Sequence, residues 1–475
     1  MCQRMDWERL LSPKRFRYSR TQTGDSGAGG EDKLNGRSEF EKDLDRITFS
    51  SSFRRLGRKT QVHLLSENDH IHTRLSHSLE VACVGRSLGV KIGYWLEEQE
   101  SKNGKREMLP DDFSRSTLGE IVEAACLAHD IGNPPFGHAA EEAIREWFKE
   151  QLANGAQWRS LLEPEEIEDL TCFDGNAMAF RVVTQKEFYP GEGGMRLTYP
   201  TLGALLKYPW TSHFAKSNKN KFSCFTTEYD YLCEIAGELG LIEKTRDKND
   251  HKAEYGRHPL AYLVEAADDI CYRVLDIEDA IELRLLPDDI LHKRFHLLLD
   301  ADLSDEQRHL LEDSSISPPT KNGLLRGKMI NRMIAEVVDV FKEHYEIIME
   351  GRFENSLFEK TYGDSVCSAL MDLYRRNKLH KEIYRNRRNI PLELGAYSIL
   401  RTLLEASLDA AHDFVKGGKL SYKTQIIQRF VKYDCKGQYT PKGLYQVVMP
   451  FLDYVTGMTD EYATFINKQL LGLGN

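Results

Sequence analysis

The sequence has no apolar run approaching the ~20 residues that a membrane-crossing helix needs. None of its nine cysteines stands in a C-x-x-C pair, and scattered thiols suit a reducing compartment better than a disulfide framework. Residues 1–20 are charged throughout and lack the apolar core of a signal peptide, so a cytoplasmic protein is expected. A basic surplus is missing too. The net charge of −10 argues against a surface given over to nucleic acid, although a local basic pocket can still serve an anionic ligand. Two basic runs qualify, Arg54, Arg55, Arg58 and Lys59 in one and Lys216, Lys219 and Lys221 in the other, and either can equally be a solvated face. No internal repeat and no convincing series of alternating strands is present.

What is present is helical periodicity. From Glu39, the residues Phe40, Leu44, Ile47 and Phe53 recur at helical steps. Residues 72–98 form a second segment with Leu75, Leu79, Ala82, Leu88 and Ile92 toward one face, and 99–117 connect it onward. Ala139 to Leu152 reads as a further helix. Residues 185–223, punctuated by Pro190, Gly191, Gly193, Gly194, Pro200 and Pro209, are the least regular part, and Asp247–His258 reads as a polar loop. A long amphipathic helix follows, bounded by Pro259 and Pro287; residues 300–323 are a connector, and the remainder is again helical. Cys83, Cys126 and Cys271 sit among apolar residues as core filler. The fold class expected is mostly α. Three parts are expected: 1–38 with a Gly/Ser-rich loop at Thr23–Gly30, a core over 39–290 with an irregular insertion at 185–258, and a helical region over 291–475.

The chemistry concentrates in His129-Asp130-Ile131-Gly132-Asn133-Pro134-Pro135-Phe136-Gly137-His138, with Glu141 beyond it. The residues before it, from Ile121 to Ala128, are nearly all small or apolar, so a buried helix delivers His129 and Asp130 to the interior at its C-terminal end. Gly132 and the two prolines stop the helix there. A buried imidazole and carboxylate side by side need a partner, and a divalent metal is an economical one. A salt-bridged pair is the plainer reading of the dipeptide alone.

Two further residues raise the metal reading. His77 lies in the apolar half of its helix, where a hydrogen-bonded core histidine is the plain alternative. Asp268 lies in Glu265-Ala266-Ala267-Asp268-Asp269-Ile270. Counting by fours places Asp268, Tyr272 and Asp276 on one stripe, drifting ~40° per step, while Asp269, offset by about 100°, is expected to point elsewhere. A solvated face with Arg273 and Glu278 as salt partners is the alternative for that stripe. Nitrogen and oxygen ligands suit Mn²⁺, Fe²⁺, Zn²⁺ or Mg²⁺. His138 and Glu141, three apart, share a helix face, and a carboxylate there can orient an imidazole as a general acid.

The pattern His77…His129-Asp130…Asp268 resembles the H…HD…D signature of HD-domain phosphohydrolases. Thr60-Gln61-Val62, Thr73-Arg74-Leu75-Ser76-His77, HDIGNPPFGH with Glu141, Leu202 to Pro209 and the Glu265–Ile270 segment with Tyr272 together resemble the longer subclass of bacterial dGTP triphosphohydrolases. The likeness runs from about Trp7 to about residue 285 and returns more weakly around Glu393. It implies an HD-type core at 39–290 and a C-terminal region contributing to a nucleotide pocket and oligomer contacts. It implies cleavage of dGTP to deoxyguanosine and triphosphate, with one divalent metal per site, Mg²⁺ or Mn²⁺, held by His77, His129, Asp130 and Asp268. His138 would transfer a proton with Glu141 orienting it. Gln61, Tyr272 and Asp276 would meet the sugar, and Arg74, Lys207, Tyr208 and Lys221 the triphosphate. Glu393 is the candidate acceptor for guanine N1–H and N2–H₂; a helix N-terminal glutamate is its plain alternative. Homo-oligomers, tetramers or hexamers, and single-stranded DNA binding are also implied. Another HD-type nucleotide phosphohydrolase, a broader dNTPase, or a nucleotide-sensing or DNA-binding protein with an idle site are the competing expectations.

Overall fold

Gly85, Gly89 and Gly93 recur at four-residue steps along helix α1 (Arg74–Asn103), and this stripe lets helix α2 (Arg115–Ala128) lie against its backbone. A Cβ on Gly89 would come within 2.6 Å of the Leu118 carbonyl, and one on Gly93 within 2.8 Å of the Arg115 carbonyl. Ser114 caps α2, and Ile121, Val122 and Ala124 to Ala128 are buried along it. The computed structural model describes residues 3–473 apart from 18–35, 63–67, 69, 104–108, 112, 154–158, 216–219, 248–251, 364, 377–378, 380–382, 384–388, 417–418 and 432–442. The expected loop at Thr23–Gly30 and the lysines Lys216 and Lys219 lie outside those residues. The fold is mostly α, 69% helical, and among the described residues the one sheet is a two-stranded hairpin of β1 (Glu243–Asp247) and β2 (Lys252–Tyr255). No helix among the described residues is long and apolar enough to cross a membrane.

Two hydrophobic cores organise the chain. The first gathers α1, α2, helix α4 (Tyr199–Leu205) and helix α5 (Pro259–Glu282), with Glu39–Thr48 and Pro318–Glu343 packed around them. The second gathers helix α3 (His138–Ala153), helix α6 (Asn389–Lys416), helix α7 (Leu444–Thr456) and helix α8 (Asp460–Leu470). The turn between α2 and α3 crosses from one core to the other, so whatever this turn carries sits at their seam.

Several expected details differ. The helix from Glu39 ends at Thr48, and Ser50 caps a separate turn, Ser51–Arg55, by accepting from the Phe53 amide at 3.1 Å. On α1 the buried face runs through Val81, Val84, Leu88 and Ile92; Leu79 is half-exposed and Cys83 is exposed, so Cys83 is not core filler, unlike Cys126 and Cys271. The stretch expected to be least regular contains α4, whose Pro200 occupies the first turn, where no amide donor is required. β2 lies within the expected polar loop at 247–258. The expected connector at 300–323 contains Asp305–Glu312, capped reciprocally by Ser304 and Gln307, and the start of Pro318–Glu343. The basic run at 54–59 is not one solvated face: Arg58 pairs with Glu461 at 2.8 Å, and Lys59 is buried.

Candidate active site

Helix α2 ends where its apolar residues end. His129 is its C-cap, and its Nδ1 lies 2.7 Å from the Cys126 carbonyl oxygen. That carbonyl can only accept, so Nδ1 donates to it and Nε2 is turned toward the seam. His77, 1% exposed on α1, places its Nε2 3.1 Å from Asp268 Oδ1, and His129 Nε2 lies 3.7 Å from the same oxygen. The two imidazole rings meet edge-on with centroids 5.5 Å apart. One ligand atom from each of His77, His129 and Asp268 falls within 4.8 Å of the others, a spacing and donor set that fit a divalent metal.

Asp130 stands beside this trio, with Oδ1 3.6 Å from His129 Nε2. Its carboxylate is already engaged: Arg74 Nη1 donates to Oδ2 at 2.6 Å and the Asn133 side-chain amide donates to Oδ1. The trio is thus gathered directly, while Asp130 is shared with Arg74. Burial would raise the Asp130 pKa, but Arg74, His129 and His77 outweigh it and the carboxyl titrates below its usual range. For Asp268, too, burial is opposed and overcome, by the His77 hydrogen bond, by His129 and by Lys207, so it is held anionic.

Beyond the double proline, Phe136 (φ 66°) and Gly137 (φ 58°) both take left-handed backbone, which reverses the chain and starts α3 at His138. A Cβ on Gly137 would meet Arg74 Nη2 at 2.7 Å, so this position keeps room for the guanidinium. His138 is 82% exposed and Glu141 3%, with His138 Nδ1 3.1 Å from Glu141 Oε2. Glu141 also accepts from the Gly175 amide at 2.8 Å and from Arg145 Nη2 at 3.1 Å. Burial would raise its pKa, but His138, Lys221 and Arg145 push it down to about 2. A fixed buried carboxylate therefore tethers one nitrogen of an imidazole whose ring faces open space.

That space is a cavity of about 520 Å³, lined by the trio's His129 and Asp268 and by Asp130, His138 and Glu141. Gln61, Arg74, Lys207, Tyr208, Lys221, Tyr272 and Glu393 also border it. Asp276 is not among the lining residues: it is buried in α5 one turn beyond Tyr272. Asp269, expected to point away, does reach the wall, but its carboxylate accepts from Arg273 and from Ser356. Among the described residues, Gln61 Oε1 is buried without a hydrogen-bond partner, as is Arg74 Nε. Lys207 lies 3.4 Å from Glu265, and Lys221 lies 3.1 Å from Asp174. Burial disfavours both ammonium charges, but Glu265, Tyr208 and Asp268 around Lys207, and Asp174 and Glu141 around Lys221, hold them protonated.

Sequence reasoning missed Asn133, Glu265, Arg145 and Asp174. Arg145, four residues after Glu141, was detectable as a same-face partner. Glu265, three before Asp268, pairs with both Lys207 and Arg257, but nothing in the sequence brings those cations to it. Asp174 carries no local signal.

Comparison with known proteins now bears on this geometry. Residues 74–180 match the HD domain family. The chain is 41% identical over 472 residues to the deoxyguanosinetriphosphate triphosphohydrolase-like protein of Pseudomonas aeruginosa (strain LESB58), covering 98% of this chain and 99% of that protein. A protein of the same description from Synechocystis is 34% identical over 481 residues, covering 99% and 100%. The deoxyguanosinetriphosphate triphosphohydrolase of Klebsiella pneumoniae (strain 342) is 30% identical over 502 residues, covering 91% and 94%.

Proposed function

The chain belongs to the HD-domain family of deoxyguanosinetriphosphate triphosphohydrolase-like proteins, and we propose that it hydrolyses dGTP to deoxyguanosine and inorganic triphosphate. The observation that carries this reading is one shared cavity. Its wall brings together His129 and Asp268 of the metal-competent trio, a carboxylate-tethered imidazole and the cations Arg74, Lys207 and Lys221. A divalent cation held by His77, His129 and Asp268 with Asp130 beside them, Mg²⁺ or Mn²⁺, would supply Lewis-acid stabilisation of charge on the α-phosphate oxygens.

The protein's own groups do the rest. Arg74, Lys207 and Lys221 neutralise the triphosphate, and a bound phosphate chain would take over charges now shared with Asp130, Glu265 and Asp174. Water attacks the α-phosphorus and the bond to O5′ breaks. His138 gives a proton to the departing 5′-oxygen, while Glu141 holds Nδ1 and orients the ring. The water's surplus proton leaves to solvent. Gln61 Oε1, unpartnered among the described residues, accepts from the sugar, and Tyr272 packs beneath the ribose where a 2′-hydroxyl would clash. Glu393, exposed at the start of α6 and on the cavity wall, accepts from guanine.

Product analysis tests the reading. Incubation with each of the four dNTPs and GTP, under Mg²⁺ and under Mn²⁺, is expected to release triphosphate and deoxyguanosine from dGTP. Pyrophosphate or a nucleoside monophosphate as the product would overturn it, and points to another HD-type hydrolase. Tyr272→Ala is expected to raise kcat/KM for GTP relative to dGTP by about tenfold or more, because the ring would no longer exclude a hydroxyl. An unchanged ratio would remove Tyr272 from sugar selection.

A further inference from the structure

Asp460 is 2% exposed and lies far outside the HD-domain segment, at the first turn of α8, yet its carboxylate touches Phe136, which lines the cavity, and Thr60, the neighbour of the lining residue Gln61. Oδ2 accepts from the Thr60 amide at 2.9 Å and from the Thr60 hydroxyl at 2.6 Å. Oδ1 accepts from the Phe136 amide at 2.9 Å. Thr60 immediately precedes Gln61, whose side chain lines the cavity, and Phe136 stands two residues before His138 in the left-handed turn that starts α3. One carboxylate therefore spans the segment that presents Gln61 and the turn that presents His138.

A second contact from the same region repeats the arrangement. Lys59 Nζ, buried, donates to the Thr456 carbonyl at 2.8 Å and to the Asn133 carbonyl at 2.5 Å, and Asn133 in turn holds Asp130. The Thr60 segment is further tied to the start of α1, because the Arg74 amide donates to the Lys59 carbonyl at 3.1 Å. Residues 456–460, between α7 and α8, thus clamp the 59–61 segment against the His129–His138 turn. A backbone held by charge-assisted hydrogen bonds at both sides has its separation set by the size of one carboxylate.

We propose that Asp460 is a positioning residue of the reaction, which fixes the separation between Gln61 on the sugar side and the His138 turn on the proton-transfer side. This rests on the function proposed above. An asparagine there keeps the shape but turns an amide donor toward either Thr60 or the Phe136 amide, so one wall is released. Misplacement of such groups by about 1 Å costs up to 10²-fold in rate.

The test is a double-mutant cycle in the full-length protein. Asp460→Asn is expected to lower kcat for dGTP by roughly 10- to 100-fold with metal content unchanged. Combined with Gln61→Ala, it is expected to lower kcat/KM for dGTP by clearly less than the product of the two single losses, because both act in part through Gln61. A carboxylate that only stabilises the fold would give independent, multiplying losses together with a lowered Tm, and that result would overturn the inference. Should Asp460→Asn not fold, Thr60→Val removes only the hydroxyl and is expected to lower kcat in the same direction, by about threefold, without altering metal content. Wild-type kcat in Thr60→Val and a folded Asp460→Asn would overturn the inference while leaving the proposed reaction standing. Glu461→Ala, at the exposed ion pair one residue on, serves as the control with unchanged activity. If the unaltered protein releases no triphosphate from dGTP, the function itself fails, and the positioning role falls with it.

Discussion

Replacing Asp268 with alanine is expected to strip the protein of its metal and its turnover together. The carboxylate is the one anion of the trio, with Oδ1 3.1 Å from His77 Nε2 and 3.7 Å from His129 Nε2. Without it, the nearest remaining carboxylate is Asp130, already engaged by Arg74 and Asn133, and the buried His77 loses its carboxylate partner. Metal content after gel filtration in Mn²⁺ should fall from about one ion per chain to a small fraction, and turnover by at least about 10²–10³-fold. Asp269→Ala supplies the contrast. Its carboxylate accepts from Arg273 at 2.7 Å and from Ser356 at 2.8 Å, outside the trio, so metal content should be retained. Stoichiometric metal in Asp268→Ala would refute the assignment of the site, and loss of metal in Asp269→Ala would show that the helix presents the wrong face.

That contrast turns on helical phase, which also marks where the sequence was informative. A run as apolar as Ile121–Ala128 that stops at a Gly/Pro turn leaves its last residues inside the protein, and His129 is indeed a helix cap at the seam. The long helix bounded by prolines was legible for the same reason. Asp276 shows the limit of counting by fours. Each step drifts ~40°, so two steps from Asp268 carry the side chain well around the helix, and Asp276 is buried off the cavity wall while Tyr272 still reaches it. Leu79 and Cys83 failed because α1 is steered by its glycine stripe and not by the apolar positions alone. Helix α4 was hidden by Pro200, which reads as a breaker but sits in a first turn. Ser304 and Gln307 form a capping box that was readable three residues apart and was passed over in a polar stretch. Long-range polar partners such as Asp174 with Lys221, or Asp460 with Thr60, have no local pattern at all; only the packing of the two cores brings them together.

His138→Ala should separate metal binding from chemistry. The imidazole lies outside the trio and, among the described residues, makes no hydrogen bond to it, so the variant is expected to hold the same metal as the wild type. The fold should also survive, because Glu141 keeps the Gly175 amide at 2.8 Å and Arg145 at 3.1 Å after the imidazole is gone, and His138 itself is 82% exposed and buries little surface. What is lost is the proton donor. Without it the 5′-oxygen departs as an alkoxide or waits for solvent, and a positioned general acid contributes typically 10²–10⁴-fold, so kcat for dGTP should fall by about that factor. KM should change less than kcat, since the cations Arg74, Lys207 and Lys221, proposed to bind the phosphates, remain in place. Metal analysis and kcat measured on the same preparation decide the matter. A wild-type rate would mean that the tethered imidazole moves no proton. Loss of metal alongside loss of rate would mean that the two halves of the His129–His138 turn are one site and not two. The geometry favours separation: the metal-competent atoms belong to α1, the end of α2 and α5, whereas the imidazole and its buried carboxylate belong to α3 and the other core.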